Sequence, residues 1–298
     1  MDLRALELFR AVARSGGFAA AADDADLSAS AVSRRIATLE AELGARLLHR
    51  TTRAVSLTEA GARFLARAEA ILEEADAARD EARGVGAEPA GVLKLTASTA
   101  YGERVIVPLM AAFREAYPQV TLDLLFTDAV VDLAAERVDL AVRLGPRPEG
   151  EGISTRLAAT RYRVYASPAY LEREGAPATP EHLADRPAVV MDVPGYRTQW
   201  RFRGPAGDEA RVPIASAVSV SSALSARTLT LDGVGPSLLA DWLCGEDAAA
   251  GRLVDLFPDH EIAAREFETA AWLLYPSRAY LPRKVRAMID FLKSLIGR

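Results

Sequence analysis

The sequence predicts an α/β protein in three parts: a small helical N-terminal domain, a long connecting helix, and a larger half made of two α/β lobes. Three observations carry this. Helix-forming stretches bounded by capping residues and glycines occupy the first 44 positions. A helix-forming run without proline follows from Thr58 to about Gly84, and from Gly91 short apolar strands alternate with amphipathic helices. With 298 residues, 50% hydrophobic and 26% charged, the chain can build two or three domains with cores of their own.

In "LRALELFRAVARS" Leu6, Phe9 and Ala13 share one face of a helix from about Leu3 to Ser15, broken by Gly16 and Gly17. A short alanine-rich helix, Phe18 to Ala25, permits close crossing, and only Asp26 and Leu27 separate it from the next. That helix, in "SASAVSRRIATLEAELG", begins at Ser28, whose hydroxyl can accept from a free first-turn amide, and stops at Gly44. Val32, Ile36, Leu39 and Leu43 form its core stripe, so Ser30, Ser33, Arg34 and, obliquely, Arg35 face outward. Short hydroxyls and planar guanidinium forks suit phosphates and the O6/N7 edge of guanine. Two short helices crossing through a tight turn make a helix-turn-helix, whose second helix enters the major groove N-terminus first. After Gly44, "ARLLHRTTRAVSLTEAG" predicts two short strands around a basic turn, Arg50 to Arg53, before Thr58 caps a new helix. This is a winged arrangement.

The stretch "FAAAADDADLSASAVSRRIATLEAELGARLLHRTTRAVSLTEAG" resembles the DNA-binding domain of LysR-type transcriptional regulators, through Phe18, Ala22, Leu27, Ser28, Ser33, Ile36, Glu40, Gly44, Arg50, Thr58 and Gly61 among others. The resemblance implies double-stranded promoter DNA as partner. Contacts are expected from Ser28, Ser30, Ser33, Arg34 and Arg35, with Arg50, Thr51 and Arg53 on the wing. One position departs: members often carry Gln or Pro after the capping serine, and here Ala29 cannot pair with adenine, so base reading falls to Ser30, Ser33 and Arg34.

The net charge of −5 argues against DNA binding by bulk basicity. Residues 1–58 hold eight arginines, no lysine and seven carboxylates, so contact depends on placement and on a dimer's two half-sites. No run of about 18 apolar residues and no basic signal peptide is present, which points to a cytoplasmic protein without membrane contact. Cys244 is the only cysteine and reads as packing filler; His49, His182 and His260 are too scattered for a metal site, and "DDADLS" lacks the glycine and distal glutamate of a calcium loop.

From Thr58 to Gly84 the helix would run about 40 Å at 1.5 Å per residue. Phe64, Ala68, Ile71 and Ala75, continuing to Ala78 and Ala82, recur at spacings of four and three, the seam of a two-helix packing between protomers. Packing on its own domain is the other use of such a face. "GVGAEPAG", Gly84 to Gly91, reads as a hinge. The expected domains are 1–58 (winged helix-turn-helix), 59–90 (linker helix and hinge) and 91–298, the last with lobe I at 91–162 and 267–298 and lobe II at 163–266.

"GVLKLTAS", "ERVIVPLMAAFREAYP", "VTLDLLF", "VVDLAAER" and "VDLAVRL" read as βαβαβ, a parallel sheet with crossover helices. "RYRVYAS", "PAYLERE", "PAVVMDV", "QWRFRG", "AVSVSS" and "ALSARTLTLDG" give a second set, and "ETAAWLLYP" with "PRKVRAMIDFLKSLIG" return to the first. "YPQVTLDL", "RVDLAVRLG", "ASPAYLEREGAP", "LDGVGPSLL" and "GRLVDLFP" resemble, in order, the effector-binding domain of the same family, shaped like a type 2 periplasmic binding protein. Ligands in such sheets sit outside the carboxyl ends of strands. The candidates there are Ser98, Thr99, Thr127, Arg143 and Ser221, with Arg197 in "PGYRTQW" as another cation. Hydroxyls beside a guanidinium suit a small anionic or carboxylated effector.

No Walker, dinucleotide or zinc-protease motif occurs, and "GPSLL" lacks the second glycine of a nucleophile elbow, so neither enzyme chemistry nor a cofactor is expected. The competing readings are a ligand-binding protein without regulation and an adaptor whose winged domain contacts proteins. The resemblance further implies a homodimer, pairing of dimers into a homotetramer, and RNA polymerase as an open further partner.

Overall fold

The computed structural model describes residues 2–50, 55–82, 88–129, 131–133, 136, 138–148, 153–193, 195–275 and 281–297, with backbone alone at 24, 50, 73, 76, 77 and 79–82. It divides into two units, Met1–Ala87 and Glu88–Arg298.

In the first unit, Asp2 caps α1 (Leu3–Ser15) by accepting from the Ala5 amide at 2.6 Å, and Gly16 ends it in the left-handed region at φ 68°. α2 (Phe18–Asp24) leads through Asp26, itself at φ 54°, to α3 (Ala29–Leu43). The Ser28 hydroxyl accepts from the Ala31 amide at 3.2 Å and Gly44 closes α3 at φ 64°, the caps the sequence predicts. Leu6, Phe9 and Val12 of α1 pack with Val32, Ile36 and Leu39 of α3, each side chain contributing about 1.5–3 kcal/mol by leaving water. Leu43, expected in that stripe, is 37% exposed, because α3 outruns the core by its last turn.

β1 (Leu48–Arg50) and β2 (Val55–Leu57) pair antiparallel as the wing. The Glu40 carboxylate accepts from the Leu47 and Leu48 amides at 2.8 and 3.1 Å, tying the wing's first strand to α3. Thr58 donates its amide to the Leu47 carbonyl and accepts from the Gly61 amide at 2.9 Å, starting α4 (Glu59–Ala82). Here the expected seam needs correction. Leu65, Ala68 and Leu72 are buried in this unit's own core, and the Phe64 ring lies 5.5 Å from that of Phe9. Ala68, fully buried, cannot face a partner; Ile71 is 41% exposed and Ala75 half-buried. The same four-three spacing serves α1, and the core takes the stripe turned toward Leu65 and Leu72.

The second unit opens with β3 (Gly91–Ala97), followed by α5 (Thr99–Tyr101), a π turn at Gly102–Ile106, a 3-10 turn at Val107–Leu109 and α6 (Met110–Ala116). β4 (Val120–Phe126), β5 (Leu140–Gly145) and β6 (Ile153–Thr160) complete the first pass. The second set holds β7 (Tyr162–Ala166), α7 (Pro168–Glu174), β8 (Ala188–Met191), β9 (Gln199–Arg203), β10 (Glu209–Pro213), β11 (Ser216–Val220), α8 (Ala223–Leu231), β12 (Ser237–Ala240), α9 (Asp241–Ala249), β13 (Val254–Asp255) and β14 (Glu261–Ala263). β15 (Thr269–Tyr275) and α10 (Arg283–Ile296) end the chain.

One sheet runs β4-β3-β5-β15-β6, with β3 parallel to β4 and β5, and β15 antiparallel to both its neighbours. The other runs β10-β9-β14-β7-β12, its pairs antiparallel, beside a parallel β8–β11 pair. The β3–β4 and β3–β5 pairs are parallel, as βαβαβ predicts, and β15 makes the sheet mixed by returning against the direction of β5. β6 and β10 escape sequence reading: β6 carries Ser154, Thr155, Arg156, Ala158 and Ala159, a weak strand pattern on a sheet edge that pairing with β15 makes good. The crossover expected as a helix at "VVDLAAER" is described at 131–133 and 136, where Glu136 donates to the Asp132 carbonyl across a single turn. Leu95, Val142, Phe113, Leu273, Met288 and Leu292 centre the first lobe's core; Trp200, Phe202, Val212 and Ile262 centre the second's. Among the described residues no helix is long and apolar enough to cross a membrane.

The close approach of α4 to the wing sets a test. A Cβ on Gly61 would stand 2.0 Å from the Leu47 carbonyl oxygen. Gly61→Ala should therefore cost about 1–3 kcal/mol by overpacking against backbone, read as a lower urea midpoint for the first unit's transition. An unchanged midpoint refutes the contact.

Candidate nucleic-acid interface and ligand cleft

α3 owes its outward face to its caps and core stripe. Ser28, Ser30, Arg34 and Arg35 are exposed and Ser33 is half-buried. The Ser28 hydroxyl is committed to the cap and lies 3.1 Å from that of Ser30. Ser30 and Arg34, four residues apart, stand one turn above each other, and the Arg34 guanidinium has no ion pair among the described residues. Arg35, one position on, donates to the Asp2 carboxylate at 3.2 Å. Asp2 was missed in the sequence because it lies 33 positions from Arg35; its sole local sign was its place before a helix. The Ala5 amide, and then Arg35, hold the Asp2 carboxyl below the usual carboxylate range. Of the wing residues, Arg50 is described by its backbone, paired with Val55, and Thr51 and Arg53 lie outside the described residues.

In the second unit, β4, β3 and β5 end side by side, with Ala97 opposite both Phe126 and Val142. Ser98, Thr99 and Thr127 therefore come together where these strands stop. The Ser98 hydroxyl is buried without a hydrogen-bond partner. The other two are already engaged: the Thr99 amide donates to the Asp128 carboxylate at 3.1 Å, and the Thr127 hydroxyl accepts from the Ala129 amide at 3.2 Å. Asp128 was not foreseen, and it occupies the amide expected to greet an anion. α5 runs three residues before the π turn, so little helix dipole stands behind it.

Arg143 sits apart from these hydroxyls. Strand alternation turns it to the face opposite Val142, with Trp272 of β15 opposite it in register, and no hydrogen bond joins it to Ser98, Thr99, Thr127 or Ser221 among the described residues. Its Nη2 is buried without a partner, and burial lowers the guanidinium below its ordinary pKa. Ser221 is exposed beyond β11, and the neighbouring Ser222 caps α8. Arg197 pairs with Asp192 at 3.0 Å.

The two lobes meet through an aromatic pair that the sequence did not signal. The Tyr101 ring of the first lobe lies edge-on to Trp242 at the start of α9, 5.0 Å between centroids, and burial pushes the phenol up to about 12. The Trp242 indole nitrogen is buried without a partner. Behind it, Asp247 is fully buried between Arg227 at 2.6 Å and Arg252. Burial alone would raise its carboxyl, but hydrogen bonds from the two arginines outweigh that and hold it below the usual range. Cys244 is buried, which pushes its thiol up to about 12. Among the described residues no group of three or more His, Cys, Asp or Glu could hold a metal ion.

Comparison with known proteins agrees with this layout. A family model described as "Bacterial regulatory helix-turn-helix protein, lysR family" matches residues 3–62, and one described as "LysR substrate binding domain" matches residues 86–296. The chain is 36% identical over 296 residues to the HTH-type transcriptional regulator DmlR of Escherichia coli (strain K12), covering 98% of this chain and 93% of that protein. It is 34% identical over 292 residues to the HTH-type transcriptional regulator CrgA of Neisseria meningitidis serogroup C, covering 98% and 96%. The solved structure of CrgA, a LysR-type transcriptional regulator from Neisseria meningitidis, covers 100% of each chain at 33% identity with a TM-score of 0.64.

Asp2 generates a test with a defined sign. A depressed carboxyl stabilises the fold above its unfolded pKa and ceases to do so as pH falls through its lowered folded value. At pH 7 Asp2→Ala should melt below wild type, and the two should converge as pH drops through and below the ordinary carboxylate range. A gap in melting temperature independent of pH shows that the carboxylate's charge is not what stabilises α1.

Proposed function

The chain belongs to the LysR family of helix-turn-helix transcriptional regulators, and from that premise we propose that it reads promoter DNA through Ser30, Ser33 and Arg34 of α3. The observation that supports this most is the exposed pair Ser30 and Arg34 on a helix capped at both ends and anchored by Val32, Ile36 and Leu39. A rigid helix presents side chains in one geometry, which bidentate recognition of a base edge requires. In this reading Arg35, Ser28 and the wing residues Arg50, Thr51 and Arg53 contact phosphate and position the domain. The protein works in the cytoplasm as a regulator rather than an enzyme, with residues 1–58 on DNA, 59–90 as linker and 91–298 sensing the effector.

The effector lies between the lobes, near Ser98, Thr99 and Thr127, and it is an acid. The Ser98 hydroxyl, buried at these strand ends without a partner, needs an acceptor there, and a carboxylate oxygen of the effector would supply it. The state of the lobes then differs in free energy between bound and free protein, which is how ligand reaches DNA. Assembly is through the face of α4 that carries Ile71 and Ala75 into a homodimer, with dimers pairing into a tetramer.

Two outcomes check this reading. On a fragment from upstream of its own coding region, Arg34→Ala should weaken specific binding by about 1–3 kcal/mol, whereas Arg50→Ala or Arg53→Ala should weaken all sequences alike and lower the salt slope by about one unit. Operator affinity unchanged in Arg34→Ala places the groove face elsewhere. Ile71→Asp, which sets a charge on the exposed face of α4, should dissociate the dimer and with it half-site binding. A folded variant sedimenting at wild-type mass removes Ile71 from the interface.

A further inference from the structure

Away from the strand ends, a cavity of about 720 Å³ opens beside both crossovers of the second unit, and none of Ser98, Thr99, Thr127, Arg143 or Ser221 lines it. Its walls come from β6, the Arg161–Arg163 crossing into β7, the segment before β14, and β15 with the residues that lead into it. The floor is where the two crossings touch: the Thr160 and Thr269 hydroxyls are 2.8 Å apart. Such a volume is in the range of small-molecule sites, typically about 300–1,000 Å³.

Four arginines line this space, Arg147, Arg156, Arg161 and Arg163. Arg163 is spoken for: it donates to the Pro258 and His260 carbonyls at 2.9 and 3.1 Å and lies 3.7 Å from Asp255. Glu261, on the wall, is held by Arg203 at 2.9 Å. Among the described residues Arg147, Arg156 and Arg161 have no ion pair, and the carboxylates of Asp259 and Glu268 are the acids left to face them. Cation therefore exceeds anion. The remaining wall is aromatic. Trp272 stands opposite Arg156 in register, its indole nitrogen donating to the Gly145 carbonyl at 3.1 Å, so the ring is fixed as a flat side. Phe267 forms another, with the Arg203 guanidinium 4.0 Å from its ring centre.

We infer that this cavity is a second small-molecule site, separate from the cleft, that takes a compact, multiply charged anion: a di- or tricarboxylate, or a diphosphate. Guanidiniums from three chain segments can each grip one oxyanion group by a planar fork, which a singly charged anion cannot use in full. Trp272 and Phe267 supply faces for the carbon skeleton or bridging atoms. The inference does not depend on the reading of the cleft, and the two separate by mutation.

The test is isothermal titration of the full-length protein with citrate and with pyrophosphate, in chloride matched for ionic strength, against wild type, Arg156→Gln, Arg161→Gln, the double variant and Ser98→Ala. Arg156 and Arg161 are exposed, so glutamine there leaves the fold intact, as the melting temperature without ligand will show. Wild type should bind at least one probe, either single variant should weaken it about tenfold or more, as expected for loss of charge-assisted hydrogen bonds, and Ser98→Ala, at the strand ends and outside the cavity lining, should leave it unchanged. Citrate without pyrophosphate assigns the site to carboxylates, and the reverse to phosphates. The inference is overturned if neither probe exceeds the chloride background, if the double variant binds as wild type does, or if binding is lost in Ser98→Ala and kept in the double variant, which would put the anion in the cleft.

Discussion

Strand β15 lies between β5 and β6, and the larger unit is organised by that placement. Its neighbours have no pairing with each other, so without β15 facing edges of both would be left with unmet backbone groups. Yet β15 arrives only after the chain has built the whole second sheet. Two crossings must therefore run side by side, one at Arg161 and one just before Thr269, and the Thr160–Thr269 hydroxyl contact marks where they meet. Two sheets joined by adjacent strands have one line about which to rotate and one cleft between them. The arginine-lined cavity beside the crossings follows from the same geometry.

The smaller unit solves a different problem, that of presenting a short helix rigidly on little core. Caps at both ends of α3 satisfy the backbone groups that a helix leaves open. Glu40 then ties α3 to the wing, and the wing's Leu47 carbonyl receives Thr58 while Gly61 passes against it. α3, the wing and α4 thus meet within a few residues of Leu47. Glycine is required at position 61 because any side chain would occupy the space of that carbonyl.

Arginine is distributed among three tasks that charge counting cannot separate. Arg227 and Arg252 neutralise the buried Asp247, and Arg201 and Arg203 share Glu209 across β9 and β10. The first set is structural, since removing an arginine strands a buried charge, whereas the second links neighbouring strands at the surface. Arg34, on the outer face of α3, and Arg147, Arg156 and Arg161, around the cavity, carry no such internal partner among the described residues. Guanidiniums left without an internal acid are the ones open to an outside anion.

By itself the sequence determined what depends on neighbours along the chain. The extents of α1 and α3, their caps at Ser28, Gly16 and Gly44, the wing strands and the start of α4 at Thr58 are local matters of periodicity and capping, and they were legible. So was the outward face of Ser30 and Arg34, since a helix's core stripe dictates its opposite side. Tertiary structure decided whatever depends on residues far apart in sequence. Ala68 and Leu72 went to α1 rather than outward because the core lay on that side, and β6 became a strand because β15, over a hundred positions on, offered it a ladder. Arg143 was legible as a cation at a strand end, but register and alternation set it beside Trp272, away from the Ser98 and Thr127 hydroxyls. Arg35 was bound to Asp2, and the Thr99 amide to Asp128, across 33 and 29 positions. Spacing along a chain reports the side on which a residue emerges; which distant charge or strand waits there is set only when the sheets close.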